Sequence, residues 1–301
     1  MKKKDFLSLI NLSKKEIHSI LELSLKLKKE KKNKKILEGK SFGLIFEKPS
    51  TRTYVSFDIA INDLGGHAVT LPITSLGNRE SIHDIAKTME RYVDGLIIRT
   101  FKQQTLEEFA RHFSKPVINA LSDKFHPCQI LADYQTITEK KGDKKIKLAY
   151  LGDGFNVANC LTILSSIVGY DIHLGMPKGY EPSSEILAIA KKNAAKSGAK
   201  IVISHDALAA AKDADVLYTD TWVPMGKESE EKKRIKIFQP FQLNAAILKK
   251  AKKDAMVMHC LPAHRGQEIT DEVIDGKQSV VFDEAENRLH IQKAILTYLY
   301  K

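Results

Sequence analysis

The feature that most narrows the folds open to this chain is a short apolar run, residues 42–46, that breaks into a polar turn and then a helical pattern. The turn reads Phe46-Glu47-Lys48-Pro49-Ser50-Thr51-Arg52-Thr53, and Val55, Ile59 and Leu64 continue the helical pattern until Gly65-Gly66 stops it. The alternation then repeats. Apolar, strand-like runs at 67–71, 95–100, 117–119, 147–151, 171–174, 200–203, 216–219, 256–259 and 280–282 are separated by helical patterns at 81–92, 105–113, 127–140, 157–168, 182–197, 207–213 and 243–252. Alternating strand and helix implies parallel pairing, because two parallel neighbours need a crossover between them. A chain of 301 residues, 43% of them hydrophobic, can bury two cores of ordinary size. The expected fold is therefore α/β, with two domains that are each a mainly parallel sheet covered by helices on both faces. The polar break Lys140-Lys141-Gly142-Asp143-Lys144-Lys145 separates residues 1–138 from 139–284, and a final helix occupies 285–301. A first helix over 13–30 opens on Ser13-Lys14-Lys15-Glu16, the pattern of a capping box.

Charge and cysteine count exclude several classes of function. The 48 Lys+Arg against 37 Asp+Glu leave a net charge of +11. Much of the excess sits in residues 2–4, 14–15 and 26–35, on or beside an amphipathic helix, and reads as a solvated face. It comes with no aromatic platform or base-reading motif, so no nucleic acid is expected. Three cysteines, Cys128, Cys160 and Cys260, form no close C-x-x-C pair, which points to a reducing compartment and against a disulfide framework. Polar residues interrupt the first apolar positions, and no run of about 18 apolar residues occurs. A soluble, cytoplasmic protein without membrane contact is the expectation.

The turn at 46–53 carries chemistry. At a strand-to-helix turn the first helical N–H groups have no partner, and the helix dipole presents its positive end. Ser50, Thr51 and Thr53 add hydroxyls and Arg52 a guanidinium, enough donors to surround a phosphate. The same residues also fit an N-cap serine followed by a surface arginine. Arg99 falls at the carboxyl end of a strand, where ligands of parallel sheets gather, although strand-end arginines are often plain surface. Gly152-Asp153-Gly154-Phe155-Asn156 is like a dinucleotide turn, but Val157 stands at the third glycine position and no P-loop occurs, so no nucleotide is expected. His259, Cys260 and His264 are metal-ligating types, yet Leu261-Pro262-Ala263 separates the last two in a spacing unlike zinc patterns. No metal and no cofactor are expected.

Three further stretches join the first: His126-Pro127-Cys128-Gln129, Asp220-Thr221-Trp222-Val223-Pro224-Met225-Gly226 and His259-Cys260-Leu261-Pro262-Ala263-His264-Arg265-Gly266. In this order, over nearly the whole chain, they resemble the ornithine carbamoyltransferases of the aspartate/ornithine carbamoyltransferase family. The resemblance implies transfer of the carbamoyl group of carbamoyl phosphate to the δ-amine of L-ornithine, giving citrulline and phosphate. That reaction serves arginine biosynthesis or, reversed, citrulline breakdown. It implies a homotrimer or a multiple of trimers, with carbamoyl phosphate held by residues 1–138 and ornithine by 139–284. The final helix would return to the first domain with Arg288 facing the phosphate.

Attack of an amine on an acyl phosphate builds an oxyanion while phosphate departs, so the site needs fixed donors and no necessary metal. By resemblance, Ser50, Thr51, Arg52, Thr53 and Arg288 hold the phosphate. Arg99 is shared between phosphate and carbonyl oxygen, and His126 donates to that oxygen. Pro127 and Cys128 complete their motif, Gln129 reads the carbamoyl NH2 with its amide oxygen, and the Leu261 carbonyl takes the other N–H proton. Asp220 and Cys260 orient and help deprotonate the amine, Asn156 meets the ornithine α-carboxylate, and Pro224 and Met225 line the amino acid. The Leu261-Pro262 bond would be cis. Three positions depart from the family: Tyr54 for arginine, Ser75 for glutamine and Pro224 for serine. His-Cys-Leu-Pro argues against an aspartate enzyme, whereas putrescine or an acylated ornithine stay open as substrates. A non-catalytic basic binding protein is the alternative of a different class.

Overall fold

A computed structural model of the chain describes residues 5–30, 32–71, 76–224 and 226–301. Met225 and Ser75, both singled out above, lie outside the described residues. The chain divides into two compact units, residues 1–135 with 286–301 and residues 136–285.

The first unit contains α1 (Lys14–Lys29), β1 (Ser41–Phe46), α2 (Thr51–Asp63), β2 (His67–Leu71), α3 (Ile82–Tyr92), β3 (Gly95–Arg99), α4 (Gln103–His112), β4 (Val117–Leu121) and the start of α5 (Pro127–Lys141). Its described strands form a wholly parallel sheet in the order β2-β1-β3-β4. The expected capping box closes α1: Ser13 accepts from the Glu16 N–H while Glu16 accepts from the Ser13 N–H. Ile45, Leu96, Ile98, Leu106, Phe109 and Phe113 bury one face of the sheet against α3 and α4.

The second unit contains the end of α5, then β5 (Lys147–Leu151), α6 (Asn156–Val168), β6 (Asp171–Gly175), α7 (Ser184–Ser197), β7 (Ile201–Ser204), α8 (Ala207–Ala211), β8 (Val216–Thr219), α9 (Glu231–Phe238), α10 (Ala245–Leu248), β9 (Met256–Met258), α11 (Asp271–Ile274) and the start of α12 (Val281–Tyr300). Its described strands form a second parallel sheet, β7-β6-β5-β8-β9. Central strands such as β8 are buried along their whole length, as expected of a parallel sheet covered on both faces.

Strand order places the candidate residues. In the first sheet it reverses between β1 and β3, whose ends pair Phe46 with Arg99. In the second it reverses between β5 and β8, whose ends pair Leu151 with Thr219. A crevice opens at such a reversal, beyond the carboxyl ends of the strands. Residues 47–53 and Arg99 therefore flank one reversal, and residues 152–156 and Asp220 flank the other.

Two expectations are corrected. Residues 280–282 are not a strand: Ser279 makes one isolated bridge to Val257, the Val280 N–H bonds the Val257 carbonyl, and the chain turns into α12. The final helix thus begins at Val281 rather than 285, with Asp283 and Glu284 in its first turn, where acids suit the helix dipole. Arg288 lies well inside the helix. Within the first unit this helix packs through the Phe42–Tyr300 ring contact at 5.2 Å, a Tyr298–Glu16 hydrogen bond of 2.7 Å and a Lys293–Asp63 ion pair. Helix α9 and the one-turn α11 are not announced by periodicity, α9 because its buried residues are Arg234 and Phe238 in a run of charges.

Gly154 has no room for a side chain, since a Cβ would overlap the backbone of Tyr180, Glu181 and Pro182. Gly154→Ala is expected to cost about 1–3 kcal/mol, the usual range for overpacking. Urea denaturation of the two proteins checks this, and an unchanged midpoint would contradict the packing.

Candidate active site

In the first unit Ser50 occupies the N-cap of α2, but its hydroxyl does not cap the helix; it donates to Thr53 Oγ1 at 3.0 Å. The first turn of α2 carries no acid, so its N–H groups and dipole are left for an anion. Arg288, 3% exposed, reaches this turn from α12: Nη2 donates to Thr53 Oγ1 at 2.6 Å and Nη1 to Gln129 Oε1 at 2.8 Å. Gln129 Nε2 donates to Asp133 Oδ1 at 2.8 Å. An arginine can only donate and a carboxylate can only accept, so these partners fix which way the Gln129 amide points.

His126 is buried just before α5, and its pKa is held well below the ordinary histidine value by burial and by the charges of Arg288 and Arg99. The ring is neutral at physiological pH. Cys128 is buried too; its thiol donates to the Asn119 carbonyl at 3.4 Å and its pKa is pushed up to about 12, so it is inert. Thr51 is exposed, while Arg52 and Arg99 are half-buried around the same turn and strand end. Glu47, which the sequence did not single out, ties the turn together: it accepts the Leu76 N–H at 2.7 Å and the Thr100 hydroxyl.

In the second unit Asn156 begins α6, and its Oδ1 accepts the Val157 N–H at 2.8 Å. Asp220 follows β8. Its Oδ1 accepts from Cys260 Sγ at 3.1 Å and from the Thr221 N–H at 2.8 Å. Burial raises the Asp220 pKa, while His259 and the Cys260 hydrogen bond pull it back. The Leu261-Pro262 bond is cis, and Leu261 has φ 56°, a left-handed conformation rare for leucine.

Behind these groups stands a network that sequence reasoning missed. His259 Nδ1 accepts the Leu261 N–H at 2.9 Å, which puts the ring proton on Nε2, facing Glu268 Oε1 at 3.1 Å. Glu268 also accepts the His264 N–H, and Glu284 accepts the His259 N–H at 3.0 Å and the Tyr218 hydroxyl at 3.1 Å. Both glutamates are fully buried. Nothing local in the sequence separates them from surface acids, and only their neighbours in space reveal them. Asp220, His259 and Cys260 bring their ligating atoms within 4.8 Å of one another. Because both ring nitrogens of His259 are already engaged, a cation there would have to break that network.

Sequence and structure comparisons identify the family of the chain. The model of the aspartate/ornithine carbamoyltransferase carbamoyl-P binding domain matches residues 4–139, and that of the Asp/Orn binding domain matches residues 144–299. Ornithine carbamoyltransferase of Methanocaldococcus jannaschii is 52% identical over 295 residues, covering 96% of this chain and 97% of that one. The structure of ornithine carbamoyltransferase from Pyrococcus furiosus superposes with a TM-score of 0.94 at 49% identity, covering 98% of this chain and 96% of that one. The anabolic ornithine carbamoyltransferase from Campylobacter jejuni gives a TM-score of 0.95 at 44% identity, with 98% of each chain covered. With both domain models matched and about half its residues shared with such relatives along nearly its whole length, this chain belongs to the aspartate/ornithine carbamoyltransferase family.

Proposed function

We propose that this chain is an ornithine carbamoyltransferase, transferring the carbamoyl group of carbamoyl phosphate to the δ-amine of L-ornithine and releasing citrulline and phosphate. The observation that carries this reading is the identity of about half the residues, across both domains, with relatives named for that activity. A relative from Pyrococcus furiosus is named anabolic at 50% identity, which supports work in the arginine-forming direction.

The residue roles that the resemblance implies fit the chemistry. The uncapped first turn of α2, with Ser50, Thr51, Arg52 and Thr53, takes the phosphate together with Arg99 and Arg288. Neutral His126 donates to the carbonyl oxygen, where charge develops as the amine attacks. Gln129 accepts a carbamoyl N–H through its amide oxygen, Pro127 starts α5 beside His126, and Cys128 acts through its backbone, since its thiol is occupied. Asn156, Pro224 and Met225 hold the amino acid head. Asp220 and Cys260 orient the δ-amine and take part in removing its proton, and the Leu261 carbonyl accepts from the carbamoyl NH2. No metal or other cofactor enters this account.

The assembly is a homotrimer or a multiple of trimers, supported by the place of β2 at the end of its sheet among the described strands and by Val55 and Ile59 exposed on α2. The cytoplasm is its compartment, supported by three free cysteines. No helix among the described residues is long and apolar enough to cross a membrane.

Formation of the carbamoylated product, measured with ornithine, putrescine, N-acetylornithine and aspartate in turn as acceptors, tests the substrate directly. Ornithine is expected to give the highest kcat/KM. Preference for putrescine or the acylated amine would mean that Pro224 marks a changed specificity. Replacing Arg52 by alanine removes a charged hydrogen bond to a dianion, about 1.5–3 kcal/mol, so the carbamoyl phosphate KM should rise roughly ten- to hundredfold. An unchanged KM would remove Arg52 from the phosphate site. His126 makes a prediction about stability. Below about pH 6.5 the unfolded chain binds a proton at this ring that the folded chain refuses, so stability falls with pH by up to about 1.4 kcal/mol per unit. Urea melts at several pH values should show a shallower acid slope for His126→Gln, and identical slopes would mean that the ring protonates in the folded protein.

A further inference from the structure

Helix α9 turns an arginine inward. Arg234 has 5% of its side chain exposed, and its guanidinium rests against the rings of Tyr180 and Phe238, 5.1 and 5.4 Å from their centroids, while the two rings meet edge to face at 4.8 Å. Each edge of the guanidinium has a partner. Nε donates to the Trp222 carbonyl at 2.8 Å, Nη2 pairs with the Asp153 carboxylate, and Nη1 donates to Glu230 at 3.4 Å. Trp222 is fully buried and stacks on Phe238 at 6.2 Å. Asp153 is fixed in turn, because its carbonyl accepts the Tyr150 hydroxyl at 3.0 Å and the next residue, Gly154, bonds the Tyr180 carbonyl at 2.8 Å.

Trp222 comes two residues after Asp220, and Asp153 three before Asn156. We propose that Arg234 is a positioning residue: it clips the loop after β8, which carries Asp220, to the turn after β5, which carries Asn156, and so fixes the spacing of the two groups assigned to ornithine. The inference rests on that assignment. A buried ion pair is poor evidence of stabilisation, because desolvation offsets much of the attraction. Only a planar fork reaches acceptors on separate loops while resting against an aromatic pair, and a lysine ammonium on a flexible stem does not.

Arg234→Lys keeps a charge opposite Asp153 and loses the Nε donor to Trp222. Trp222 is the only tryptophan of the chain, so its fluorescence reports the clipped loop independently of activity. The variant is expected to show a red-shifted emission, an ornithine KM raised at least tenfold and a carbamoyl phosphate KM changed less than twofold. If Arg234→Lys does not fold, Asp153→Asn, which keeps an acceptor for Nη2, is read in the same way with a smaller shift. Emission and ornithine KM both unchanged would overturn the clip itself. A shifted emission with unchanged ornithine KM would overturn the proposal through the assignment of the ornithine groups, and Asp220→Asn with ornithine kinetics intact would identify that assignment as the fault. Equal rises in both KM values alongside a lowered melting temperature would reduce Arg234 to a structural residue and overturn the proposal.

Discussion

In a wholly parallel sheet every strand delivers its carboxyl end to the same edge, and a crossover helix must carry the chain back across a face. Where the strand order reverses, the two flanking crossovers leave on opposite faces and open a crevice at that edge. Both sheets here obey this rule, with reversals at β1/β3 and β5/β8. The local devices described above depend on it: the uncapped start of α2, Arg99 at a strand end, the turn of residues 152–156 and the loop that begins at Asp220.

The two edges differ in electrical character. At the first, burial and the charges of Arg288 and Arg99 keep the His126 ring from protonating. Together with a helix start free of acids, the two arginines make a site matched to a dianion. At the second, Asp220, Glu268, Glu284 and Asp153 lie buried or half-buried, and each has a hydrogen-bonding partner in Cys260, His259, Tyr218 or Arg234. An environment rich in oriented carboxylates favours an ammonium. One edge thus collects donors and the other acceptors, which is the division that an anionic carbamoyl donor and a cationic amino acid require.

Much of this was legible in the sequence because parallel sheets write themselves as apolar runs followed by helical patterns, and the residues after each run mark the strand ends. Strand β2 is where the pattern placed it, and α3 opens at Ser81 as read. Residues 280–282 misled because three apolar residues fit the first turn of a helix as well as a strand. Helix α9 escaped because its inward face is led by an arginine, and hydrophobic periodicity cannot register a buried charge. Glu268, Glu284 and Arg234 share this difficulty: their importance comes from partners distant in sequence, which a single chain does not reveal. Arg288 was found through its resemblance to a family, and its depth in α12 came only from the structure.

The central claim is that the first unit is a preformed anion site. Calorimetric titration of carbamoyl phosphate into protein free of ornithine tests it most directly. Saturable binding of one molecule per chain, weakened by competing inorganic phosphate, is the predicted result. No saturable heat, or binding indifferent to phosphate, would contradict the assignment of the α2 start, Arg99 and Arg288 to that role.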